Sequence, residues 1–178
     1  MFRISRSFHA LKIVRRFALT LAVTLGFGGA LAAPTADEMI QNTVNQLIGE
    51  LQERQAELEA DHGALYALVE EIVVPRIAVT KVARLILGSH WKTASQDQRE
   101  RFTTGFKNLL MRSYATAMFE YTGEQELRFG TVTIRAEGRI AVVPTELVLP
   151  AQASVPIEYY CLLTSDGDWK IYDIQIDG

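Results

Sequence analysis

Between Pro75 and Tyr121 the chain carries an apolar stripe too long and too wide to be left in water. Phe102, Phe106, Leu109, Leu110, Ser113, Tyr114, Ala117, Met118 and Tyr121 recur at three- and four-residue spacings. Residues so spaced share one face of a 3.6-residue helix. Arg101, Lys107, Asn108, Arg112, Thr116 and Glu120 fall on the other face. Such a face needs a cover, and the strand-like runs that follow are the candidate.

The segment before it reads as helices. Pro34 to Leu58 forms a first helix, with Met39, Val44, Leu47, Ile48 and Leu51 as its stripe and Asp37 and Glu38 at its positive end. Ala64 to Val74 forms a second, with Leu65, Leu68, Val69 and Ile72 inward. Pro75 either opens the next helix or kinks a continuous one. That next helix carries Ile77, Val82, Leu85 and Ile86 and ends in a left-handed cap at Gly88. Ser95 and Gln98 make a capping box for the long helix.

After Gly123 the period changes from helix to strand. Leu127–Arg135, Ile140–Leu149, Val155–Thr164 and Trp169–Asp177 are β-rich runs separated by turn signals, the clearest being Asp166-Gly167. Alternation gives each a buried side: Val132 and Ile134; Ala141 and Val143; Ile157, Tyr159, Cys161 and Leu163; Tyr172, Ile174 and Ile176. Helices first and a meander second predict an α+β fold, with N-terminal helices packed on one face of a curved four-stranded antiparallel sheet that encloses an apolar cavity.

The first 32 residues read as a cleaved signal peptide. Arg3, Arg6, Lys12, Arg15 and Arg16 precede the apolar run Phe17 to Gly29, and Ala30-Leu31-Ala32 is a small-x-small cleavage pattern. The apolar run falls short of the about 20 residues of a comfortable span, which disfavours an uncleaved anchor. Without a cofactor motif, the general secretory route fits better than twin-arginine export, and no cysteine near the cleavage site points to a lipoprotein. Residues 33–178 then form one domain, with 13 Lys+Arg against 21 Asp+Glu, a net charge of −8. So acidic a body repels nucleic acid and anionic membranes at long range. Cys161 is the chain's one cysteine, read as buried and inert in a strand.

Catalytic patterns are scarce. There is no Cys/His metal spacing, Gly-rich phosphate loop, G-x-S-x-G or HExxH. His62, beside Asp61, and His90, beside Trp91, lack an accompanying nucleophile or acid motif and read as solvated or structural. Asp173, after Tyr172 in the last strand, is a conceivable proton acceptor at the base of a pocket, although alternation places the two on opposite faces. No catalytic residue, metal or cofactor is assigned.

From Ile72 onward the chain resembles the MlaC family, the periplasmic phospholipid-binding proteins also called toluene-tolerance proteins. The resemblance rests on Val74-Pro75, Ala83-Arg84-Leu85-Ile86-Leu87-Gly88 with Trp91, and then Ser95, Gln98, Arg99, Phe102, Phe106, Leu109, Leu110, Tyr114 and Tyr121 to Gly123. Trp169-Lys170-Ile171-Tyr172-Asp173-Ile174 and Gly178 fit the family's closing strand. Two departures stand out. Many relatives carry an aspartate after the proline, where this chain has Arg76-Ile77-Ala78-Val79, and relatives continue past Gly178 into a further helical segment.

The resemblance implies a non-enzymatic periplasmic carrier. It would shuttle phospholipid between the outer membrane and an inner-membrane ABC transporter complex, meeting an outer-membrane lipoprotein complex and maintaining outer-membrane lipid asymmetry. On that implication Val73, Ile77, Val82, Ile86, Phe106, Leu110, Tyr114, Tyr159, Cys161 and Tyr172 would contact acyl tails. Two other classes fit the composition: a cone-shaped α+β pocket enzyme acting like an isomerase on a small apolar substrate, and a periplasmic adaptor domain with a filled core.

Overall fold

The computed structural model describes residues 33–115, 118, 121 and 123–176. The signal-peptide expectation for residues 1–32 lies outside the described residues. The order is α1 (Ala36–Glu53), α2 (Gln55–Ala60), α3 (His62–Ile72), a 3-10 turn (Val74–Arg76), α4 (Val79–Leu87), α5 (His90–Thr93), α6 (Gln96–Tyr114), then β1 (Glu126–Phe129), β2 (Thr133–Arg135), β3 (Ile140–Val148), β4 (Val155–Leu163) and β5 (Trp169–Ile176). The fold is α+β.

Several boundaries differ from the sequence reading. The first helix breaks at Arg54 (φ −116°, ψ 18°), and the Arg54 guanidinium spans the break by donating to Glu50 and Glu57. Pro75 neither opens nor kinks a helix but lies in the 3-10 turn. Asp61 accepts from the Gly63 amide at 2.7 Å and caps α3. The expected capping box of α6 is present: Ser95 Oγ accepts from Gln98 N, and Gln98 Oε1 accepts from Ser95 N. Gly88 ends α4 at φ 54°, ψ −122° rather than in the left-handed well, a conformation that glycine alone adopts freely.

The expected four runs become five strands, all antiparallel, in the order β1-β3-β4-β5, with β2 also paired to β3. Pro144 in β3 explains the split. It has no N–H to give the neighbouring strand, and on that same edge its carbonyl accepts from Gly130 N at 2.8 Å. The β1–β2 run therefore breaks opposite it. A Cβ at Gly130 would lie 3.1 Å from Pro144 Cγ, so only glycine passes there without displacing the ring.

Register defines the two faces of the sheet. The rows Ala141–Cys161–Ile171 and Val143–Tyr159–Ile174, and the pair Thr145–Ile157, look to the apolar inner face. Pro144, Glu158 and Gln175 look to the outer face. A register shift between Tyr160 and Cys161 leaves Tyr172 without a partner in β4. Its ring meets Tyr160 edge-on, with centroids 6.4 Å apart. The expected set Tyr172, Ile174 and Ile176 on one face is thereby corrected at Tyr172 alone: the inner face takes Trp169 and Ile171 and, beyond the bulge, Ile174 and Ile176. A bulge reverses the alternation that a strand-period argument assumes.

Two cores result. Leu51, Leu58, Leu65, Leu68, Val69, Ile72 and Ala115 form a helical core, with Met111 and Met118 against it. Ala36, Met39 and Ile40 pack on Ala141, Val143 and Cys161 to form a sheet core. Helix α1 supplies both. Ile77 forms a parallel bridge to Ile171, and Ala78 N donates to Ile171 O at 2.8 Å, covering the outer edge of β5 before α4 begins.

Candidate functional site

The sheet core fills only part of the inner face. Further along the strands Leu127, Leu147, Val155 and Ile157 are half-buried, and Ile174 and Ile176 are 45% and 62% exposed. None of these belongs to either core. The helices leave a second unsealed apolar surface. Val82, Phe102, Phe106 and Leu110 are half-buried, while Leu85, Ile86 and Leu109 are more than half exposed. Leu109 thus departs from the stripe expected to be covered. Among the described residues no aromatic side chain is buried; Tyr66, Trp91, Phe129, Tyr159 and Trp169 are all half-buried. In a filled domain large rings supply much of the closed core. Here aliphatic and alanine side chains do so instead.

The ten predicted residues divide into groups. Val82, Phe106 and Leu110 lie on the unsealed helical surface. Phe106 stacks on Phe102 with centroids 6.1 Å apart. Val73 packs against the helical core, and Ile77 holds the sheet edge. Ile86 is 53% exposed. Tyr159 borders the sheet core, where burial pushes its hydroxyl pKa up. Cys161 is fully buried at the centre of that core, and burial pushes its thiol up to about 12. It is packed protein interior. Tyr172 is turned towards Tyr160 and lies under the Lys81 ammonium at 4.6 Å, away from Tyr159 and Cys161. Tyr114 is the last residue of α6, and its side chain lies outside the described residues.

Sequence reasoning missed Leu147, Val155 and Ile174 as candidate contacts. Extending the β3 alternation from Ala141 and Val143 to positions 145 and 147 would have found the first.

Two concave regions lie elsewhere. One of about 520 Å³ is bounded by Lys81, Ala136, Glu137, Arg139, Ile140 and Leu162, with Leu163. Another of about 310 Å³ lies among Thr80, Trp91, Arg99 and Thr103. None of the ten predicted residues lines either. Asp173 is exposed and accepts from the Ile174 amide at 3.0 Å, so its carboxylate is occupied as a local backbone acceptor. His90 is exposed at the start of α5. Among the described residues no helix is long and apolar enough to cross a membrane.

The sequence profile described as MlaC protein matches residues 41–178. This chain belongs to the MlaC family. It is 25% identical over 172 residues to the toluene tolerance protein ttg2D of Pseudomonas putida, covering 94% of this chain and 77% of that one. It is 24% identical over 148 residues to the intermembrane phospholipid transport system binding protein MlaC of Haemophilus influenzae, covering 82% of this chain and 68% of that one. Its fold is similar to that of a phospholipid-binding protein from Ralstonia solanacearum solved in complex with a phospholipid. The TM-score is 0.73 at 23% identity, over 82% of this chain and 79% of that one.

Several residues on which the MlaC resemblance rested build one corner of the domain. Arg99 Nε donates to Trp91 O at 2.8 Å, and its guanidinium lies 5.4 Å from the Trp91 ring centre. Ala83, buried completely, allows α4 to approach its neighbours closely.

Proposed function

We propose that this MlaC-family protein is a periplasmic phospholipid carrier, delivered by a cleaved leader, that shuttles lipid between the outer membrane and an inner-membrane ABC transporter complex. The observation that carries the reading is the unsealed interior: a helical surface of Val82, Phe106 and Leu110 and an inner sheet face of Leu147, Ile157 and Ile174, with no described aromatic ring buried. The relatives' names, with their phospholipid transport and binding, support the same class of ligand.

The physics requires such an interior. Two acyl chains of about sixteen carbons expose roughly 25 kcal/mol of apolar transfer free energy, at ~0.8 kcal/mol per methylene. A carrier must offset nearly all of that in water, with apolar walls along most of each chain. The head group can remain hydrated, so a dedicated charged pocket is unnecessary.

The test is lipid extraction from natively expressed, detergent-free protein followed by mass spectrometry. Stoichiometric phospholipid is expected. Repeated preparations without any, which also fail to take phospholipid from vesicles, would rule the carrier out.

A further inference from the structure

The outer face of the sheet carries a feature that lipid carriage does not use. Arg135, Ile140, Leu162 and Lys170 are direct cross-strand partners on β2, β3, β4 and β5. Direct partners project to the same side of a sheet. They form one row with a cation at each end and two apolar side chains between. The apolar pair is part of the floor of the 520 Å³ concavity, whose rim adds Arg139 and Lys81.

Among the described residues none of these four cations is in an ion pair. The acids nearby are partly engaged. Glu158 accepts from the Tyr160 hydroxyl at 2.8 Å, and Asp173 accepts from a backbone amide. Glu137 is the one acid on the rim. In a body of net charge −8 over residues 33–178, four cations outside any described ion pair, Lys81 over the Tyr172 ring among them, surround an apolar floor and form a local reversal of sign. The rim is also strained: Ala136 and Glu137 sit at φ 52° and 55°.

We propose that this row docks an extended acidic segment of a partner protein, with the pattern acid, any residue, apolar, any residue, acid. Three strand spacings separate Arg135 from Lys170, about 14 Å. Four residues of extended peptide cover about the same distance, and positions i, i+2 and i+4 all face one way. The acids would then meet the two end cations while the central apolar side chain rests on Ile140 and Leu162. A flat bilayer fits poorly, because the site is concave and the rest of the body is acidic. The proposal does not depend on lipid carriage.

The test uses the purified protein, isotope-labelled for NMR, titrated with the capped peptide Ser-Glu-Ser-Leu-Ser-Glu-Ser. Saturable shifts are expected at the amides of Arg135, Ile140, Leu162 and Lys170. Binding should weaken at least five-fold in R135E/K170E, less in R135Q/K170Q, and in 0.5 M salt. An isomer with adjacent glutamates, Ser-Ser-Glu-Glu-Leu-Ser-Ser, should bind at least five-fold more weakly. Lipid content of both double variants should match the parent. Unchanged affinity on charge reversal, equal binding of the isomer, or displacement by dihexanoyl phosphatidylglycerol at lower concentration would each overturn the proposal.

Discussion

Ile174 stands directly across from Tyr159 in the pairing of β5 with β4, yet Tyr159 packs against the sheet core while Ile174 is 45% exposed. The boundary between filled and unfilled interior runs between these two side chains. On one side α1 packs on Ala141, Val143 and Cys161; on the other Ile157, Ile174 and Ile176 belong to neither core.

That boundary predicts opposite responses to added bulk. Overfilling a packed core costs about 1–3 kcal/mol or more. Val143→Trp should therefore unfold the protein or lower its melting temperature sharply. Ile157→Trp, in the open half, should leave thermal stability within about 1 kcal/mol. It should also reduce co-purified phospholipid at least five-fold. Equal destabilisation by the two would mean that the interior is solid at both ends.

Cys161 predicts an alkaline limit. Its folded thiol is pushed up to about 12 by burial, against an ordinary value of 9.0. A raised folded pKa means that the unfolded state loses its proton first. This contribution is complete below pH 9 and falls as pH rises towards 12, by about 1.4 kcal/mol per pH unit. Cys161→Ala should flatten that part of the stability–pH curve while lowering its plateau. In the parent, the thiol should resist alkylation at pH 8 until denaturant is added.

Arg99 predicts a stability effect without a binding effect. Hydrogen bonds from a charged donor contribute about 1.5–3 kcal/mol. Arg99 makes one to Trp91 O and a longer one to Lys92 O. With the site partly exposed, Arg99→Met should cost about 1–2 kcal/mol in urea unfolding. Lysine should not restore it, since it lacks the planar fork that reaches both carbonyls and lies near the ring. Lipid content should stay within two-fold of the parent.

The β2–β3 turn predicts an easy stabilisation. Arg139 N donates to Ala136 O at 3.1 Å across Glu137 and Gly138, both at positive φ. Asn-Gly is the favoured pair for such a turn. Glu137→Asn should raise stability by about 0.5–1 kcal/mol, measured as a higher melting temperature, because asparagine tolerates the left-handed region better than glutamate.

Much of this fold was legible because helical and strand periods are local properties. The α3 stripe of Leu65, Leu68, Val69 and Ile72 and the Ser95/Gln98 cap follow from spacing alone. The bulge at Tyr172 was not legible, since it depends on how β5 meets β4 rather than on β5 itself. The same limit applied to the site. Val82, Phe106 and Leu110 could be placed on an apolar surface from the sequence, but whether that surface is sealed depends on partners far along the chain. Cys161 shows the converse: alternation put it on the inner face correctly, yet only packing decides that α1 covers it.

Helix α1 enters both cores, giving Met39 and Ile40 to the sheet and Leu51 to the helical cluster. At about 1.5 Å per residue its 18 residues make a rod roughly 27 Å long. One stiff spacer therefore sets the gauge between the protein's two solid blocks. A guest that wedges them apart must tilt the rod, loosening its grip at one end or the other, so capacity and tightness are governed by the same part.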